Sequence, residues 1–174
     1  MSTFSFKNKL ISVPLKYGVI GGGLVILLYM IFYFLGKNPI VEIKLVDILI
    51  LAVFIFFSLK EFRDRYNNRE LHFWQGVSGG MITYFSIAII SALFILILLV
   101  VIDPGITTNY IESRIALINE NKEQLVESIN EQAYIDALAG VKKTTPLDLA
   151  FDDFLKKSII GLFLTIIIAV ILRK

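Results

Sequence analysis

The chain of 174 residues has no cysteine and a single histidine, His72. The first absence excludes a disulfide framework, a thiolate metal site and a catalytic thiol. It also removes the usual sequence clue to redox compartment. With neither cysteine nor a second histidine, the common ligand sets for a transition metal are missing. No metal and no cofactor are expected, and His72 reads as a membrane-interface residue. Charge is scarce as well. Asp, Glu, Lys and Arg make up 18% of the residues, where a soluble domain averages about a quarter. The net charge is +2, and no basic stripe on a polar face marks a nucleic-acid partner. Ser-His-Asp sets, HExxH and Walker motifs are absent. The run Gly21-Gly22-Gly23 follows no strand, which excludes a phosphate loop. A non-enzymatic role is the resulting expectation.

What is present is apolar and clustered. Hydrophobic residues make up 56% of the chain, in long runs separated by short charged segments, which is the membrane signal. Four runs stand out, at 17–35, 43–59, 79–102 and 158–172. A crossing helix needs about 20 apolar residues. The first and third runs meet that length. The second is interrupted near its start by Lys44 and Asp47. The fourth must borrow Phe151, Phe154 and Leu155, with Lys156 and Lys157 snorkelling outward. Run one is too long for a signal-peptide core and Gly36-Lys37-Asn38-Pro39 is no cleavage site, so it reads as retained. The expected fold is all-α, a four-transmembrane-helix bundle with a helical extracytoplasmic hairpin between spans three and four.

Lys and Arg collect on cytoplasmic flanks. Here they sit at Lys7, Lys9 and Lys16, at Lys60, Arg63, Arg65 and Arg69, and at Arg173 and Lys174. That pattern puts the N-terminal segment 1–16, the link 60–78 and the C-terminal 173–174 in the cytoplasm. The segment 103–157 then lies outside a bacterial inner membrane. It holds ten acidic and six basic residues, a net of −4. Asp103-Pro104-Gly105 is a turn, and Asn109 followed by Glu112 resembles a capping box. Ile111, Ile115, Ile118, Leu125 and Ile129 recur at helical spacing, and Gly140 is a natural stop. A helix over 109–139 would be about 45 Å long. Its stripe packs on the helix at 146–157 or on the membrane surface, or forms a partner face for another envelope membrane protein or a second copy of the chain. Thr145 suits an N-cap, Pro146 the first helical position, and Asp148 the positive end of the helix dipole.

Asp47 is the only acid well inside an apolar run, with Lys44 three residues before it and Glu42 nearby. It reads either as an interfacial ion pair with Lys44 or as an ion site in a small transporter. Arg63, Arg65, Arg69, Phe73 and Trp74 read as interface anchors facing the lipid bilayer. Gly18 and Gly22, Gly76 and Gly80, and Gly161, Thr165 and Ala169 recur every four residues. Such small faces allow close helix packing, within the bundle or between two copies.

In this order the chain resembles the domain-of-unknown-function 4199 family, small inner-membrane proteins found mainly in Bacteroidota. The resemblance is carried by the two-span start, the link Lys60-Glu61-Phe62-Arg63, and Phe73-Trp74-Gln75-Gly76 leading into span three. Asp103-Pro104, the acidic helical segment and the closing span complete it. The family implies no activity, so no catalytic residue carries over. By analogy with relatives encoded near membrane-associated glycosyltransferases, it implies an accessory subunit or scaffold in an envelope complex.

Overall fold

A computed structural model describes residues 2–42, 44–128 and 130–173, with side chains described at 9–41, 46–124, 126–127 and 130–173. Helix α1 runs Ser2–Phe34, α2 Pro39–Glu42, α3 Lys44–Glu61 and α4 Phe73–Ile97. After α4 come α5 (Gly105–Glu120), α6 (Lys122–Ser128), α7 (Glu131–Lys142) and α8 (Pro146–Leu172). Single π-helical turns extend α3 over Phe62–Tyr66 and α4 over Leu98–Ile102. Every described element is helical. The chain divides into two units, one formed by 1–94 and 152–174, the other by 95–151.

In the first unit α1, α3, α4 and α8 pack together. Small residues set how close they come. A Cβ at Gly22 of α1 would lie 2.8 Å from Ile90 of α4, and one at Gly18 would collide with Ser86. Between α4 and α8 the small residues interdigitate: Gly76 faces Ala169, Gly80 faces Thr165, and Gly161 faces Tyr84. This is the close backbone approach that helices use where lipid removes the hydrophobic drive between them. The core includes Val25, Leu51, Ile55, Leu59, Ile87 and Ala169, all fully or nearly fully buried. Ser58 is also buried and accepts a hydrogen bond from Thr83 Oγ1 at 2.9 Å.

The outer faces are apolar. Val19, Leu27 and Ile31 of α1, Leu93 of α4, and Phe163 and Ile167 of α8 are more than half exposed. Three helical stretches are long and apolar enough to cross a membrane: Lys9–Phe34, Phe73–Ile102 and Pro146–Leu172. Each starts earlier than its apolar run, because a helix continues into its polar flank wherever the backbone bonds are retained. The α8 start matches the sequence reading. Thr145 N–H and Oγ1 both donate to Asp148 Oδ2, and Asp148 N–H donates back to Thr145 Oγ1. One correction concerns the flanks. Lys157 does not snorkel outward; it is 3% exposed, while Lys156 stays outside in an ion pair with Asp152. Arg63 is tied to its neighbours. Its Nε donates to Asp64 and its Nη1 to the Leu172 carbonyl at the end of α8, where a cation meets the negative end of the helix dipole.

The second unit corrects the single 109–139 helix. The helix begins at Gly105, whose N–H donates to Asp103 Oδ1, so Asn109 lies inside it rather than at a cap. It breaks at Asn121, whose side chain and backbone N–H both donate to the Leu117 carbonyl. A short polar side chain that competes for backbone acceptors favours such a break. Asn130 then caps α7 by accepting from Ala133 N–H at 2.7 Å. The breaks let α7 return along α5, where Tyr134 donates to Asn119 Oδ1 at 2.8 Å and Lys122 lies over the Tyr134 ring. α7 also runs two residues past Gly140, to Lys142.

Candidate functional site

Inside the first unit, charged groups from α3 and α8 meet among apolar residues. Lys157 Nζ lies 2.8 Å from Asp47 Oδ2 and also pairs with Asp153 Oδ1, one helical turn before it on α8. Tyr29 of α1 donates its hydroxyl to Asp153 Oδ1 at 3.2 Å, and Ser91 of α4 donates to Asp153 Oδ2 at 2.8 Å. The ammonium also sits 5.7 Å from the centre of the Tyr29 ring, a favourable cation–π position. All four long helices of the unit thus contribute one or more groups.

Burial is deep. The side chains of Lys157, Asp47 and Asp153 are 3%, 10% and 14% exposed. On α8, Lys157 directly precedes the uncharged run 158–172. A partner of Asp47 is thus Lys157, to which local spacing did not point. The expected neighbours of Asp47, Lys44 and Glu42, have side chains outside the described residues. Asp47 Oδ1 is buried and has no hydrogen-bond partner among the described residues.

With every group ionised, two carboxylates face one ammonium and the site carries one net negative charge. In an apolar interior a charge is costly unless paired and hydrogen-bonded. The arrangement can take up a positive species, and the group with spare acceptor capacity is Asp47.

Asp153, Tyr29 and Ser91 were not singled out from the sequence, and Lys157 was read only as a snorkelling flank, yet a signal was there. Asp153 and Lys157 stand two turns and one turn before Gly161 on the same four-residue row that continues through Thr165 and Ala169. If the small residues face inward, so do the charges. Tyr29 likewise continues the Gly18, Gly22 and Val25 face of α1, and Asp47 begins the buried row of Leu51 and Ile55.

A family model described as "Protein of unknown function (DUF4199)" matches residues 16–174. The chain belongs to the DUF4199 family. No curated protein and no solved structure matches it significantly. All five residues of the buried site lie in the part that matches the DUF4199 family.

The other residues singled out from the sequence are dispersed. At the opposite end of the α1–α3 pair, Glu61 accepts from Lys16 Nζ at 2.8 Å and from Tyr17 Oη at 2.6 Å, with Arg65 at 3.8 Å. Burial works to raise the Glu61 carboxyl, but the hydrogen bonds from Lys16 and Tyr17 and the nearby positive charges outweigh it and hold it below its usual range. The hydrogen bond from Arg63 does the same for Asp64. Arg65, Arg69, Phe73 and Trp74 are exposed, and His72 is too. The Asn67–Gln75 side-chain bond and the His72 N–H to Gln75 Oε1 bond tie this link together.

In the second unit Ile111, Ile115 and Ile118 are half-buried, while the side chain of Leu125 and residue Ile129 lie outside the described residues. Ile118, Tyr110, Arg114, Leu117 and Val141 line a groove of about 710 Å3.

Proposed function

We propose that this DUF4199 protein is a small proton- or cation-linked membrane transporter, or the ion-carrying subunit of one, and that Asp47, Asp153 and Lys157 form its ion site. The observation that carries this reading is the buried cluster, which holds one unbalanced negative charge among the described residues. Ionisable groups in hydrocarbon are costly, and they persist mostly where ions or protons move. In this reading α3 is the fourth crossing beside the three longer helices. Its 18 residues are about 27 Å long, close to the thickness of the hydrocarbon layer. The Lys and Arg flanks support cytoplasmic termini and an outer position for the segment 103–151, with Asp153 and Lys157 near the outer end of the fourth crossing.

The test is flux in liposomes holding the purified protein and a pH-sensitive dye, under an imposed proton or sodium gradient. Asp47→Asn and Asp153→Asn should abolish flux, while Asp152→Asn, which alters only the exposed pair with Lys156, should not. Absence of flux in the parent, or unchanged flux in the two buried-site variants, would sink the reading.

A second reading rests on the second unit. Ile111 and Ile115 remain half-exposed beside the α5–α7 contact, which suits a scaffold or accessory subunit gripping another envelope protein, a glycosyltransferase by the earlier analogy. Purification in mild detergent from the native host separates the two. A stoichiometric partner lost on Ile111→Glu and Ile115→Glu would favour the scaffold.

A further inference from the structure

We infer that the ligand of the buried site is a single proton and that it resides on Asp47 Oδ1 rather than on Asp153; this rests on the ion-site reading above and narrows it. The hydrogen bonds around each carboxylate decide between the two. An ionised Asp is an acceptor only, with about four lone-pair sites to satisfy. Asp153 receives three donors, Tyr29 Oη and Lys157 Nζ on Oδ1 and Ser91 Oγ on Oδ2. Asp47 receives one, Lys157 Nζ on Oδ2, and its Oδ1 is buried with no described partner. Hydrogen bonds to the charged form favour that form. Asp47 is thus the carboxylate with unfilled acceptor sites in an apolar surrounding.

The same inventory argues against a metal cation. Hard cations gather about six oxygens. Here both oxygens of Asp153 are engaged, and the ammonium of Lys157 fills the space between the two carboxylates. One oxygen remains open, which suits a proton. Proton uptake takes the site from a net charge of −1 to zero, with Asp153 and Lys157 as a closed ion pair. Among the described residues the charged and titratable groups around Asp47 are then Lys157 and Asp153 from α8 and Tyr29 from α1, with Ser91 of α4 as a neutral donor. Once Asp47 is neutral, its attraction for Lys157 weakens and the tie between α3 and α8 loosens. The proton therefore also controls how firmly α3 is held.

Infrared difference spectroscopy of the whole protein in lipid reads the protonated-carboxyl stretch directly. One such band should appear and disappear as the pH is varied. It should vanish in Asp47→Asn and shift in frequency in Asp47→Glu, the latter serving if the asparagine variant fails to fold. In Asp153→Asn the repelling charge is gone, so the band should require a lower pH to appear. Replacing potassium by sodium should leave the band unchanged. The inference is overturned if no carboxyl band titrates, if the band survives in Asp47→Asn, or if sodium displaces it. A titrating Asp47 band in a protein that passes no flux would keep the proton site and remove transport. Flux without the band would keep transport and remove the proton.

Discussion

Replacing Lys157 by methionine removes the charge while keeping most of the side-chain length. Lys157 is 3% exposed and is the cation paired with both Asp47 and Asp153. Losing one partner of a buried ion pair strands the other, and such changes destabilise by about 3–5 kcal/mol. Here two carboxylates are stranded, but unequally. Asp153 keeps the hydroxyls of Tyr29 and Ser91, each hydrogen bond to a charged group contributing about 1.5–3 kcal/mol. Asp47 keeps no described donor. Most of the loss should therefore come from Asp47. Two orderings follow. Lys157→Met should lose about 3–5 kcal/mol at neutral pH. Adding Asp47→Asn should recover more of that loss than adding Asp153→Asn. The assay is reversible denaturant unfolding in lipid micelles, followed by far-UV circular dichroism, for the parent, the single variant and both double variants. A Lys157→Met protein within about 0.5 kcal/mol of the parent would refute the reasoning, as would better rescue by Asp153→Asn.

The helix contacts, the flanking ion pair, the second unit and the topology each offer a check. A Cβ at Gly161 would lie 2.5 Å from the Tyr84 ring, so Gly161→Ala should cost about 1–3 kcal/mol. Gly23 has open space around it, and Gly23→Ala should be neutral or stabilise by up to about 1 kcal/mol; melting in detergent compares the two. The depressed Glu61 carboxyl contributes stability that is present above its ordinary value of 4.5 and lost as pH falls through its lower folded value. Acid unfolding should therefore begin at a higher pH in Lys16→Met than in the parent, with Asp152→Asn as an exposed control. Asn130→Ala removes the α7 cap and should cost about 1 kcal/mol locally, seen as faster amide exchange in residues 131–134 with the long helices unaffected. Single cysteines at Asn68 and Asn130 in intact cells should give labelling by an impermeant thiol reagent at 130 and none at 68; the reverse would overturn the proposed orientation.

The sequence by itself determined the helical character of the chain and its three longest apolar helices. Those follow from composition and local spacing, since backbone bonds in a helix close within four residues. It also determined the start of α8, because Thr145, Pro146 and Asp148 act on their own neighbours. The breaks in the second unit were less legible. Asn121 and Asn130 are cap residues that the apolar stripe obscured, and only the return of α7 along α5 makes breaking there favourable. The buried site was decided by tertiary structure. Asp47 and Lys157 are far apart in the chain, and local spacing favoured Lys44 as the partner. Packing at Gly76, Gly80 and Gly161 turns one row of α8 inward, and Asp153 and Lys157 lie on that row. Their burial then requires countercharge and donors from the other helices, which Asp47, Tyr29 and Ser91 provide.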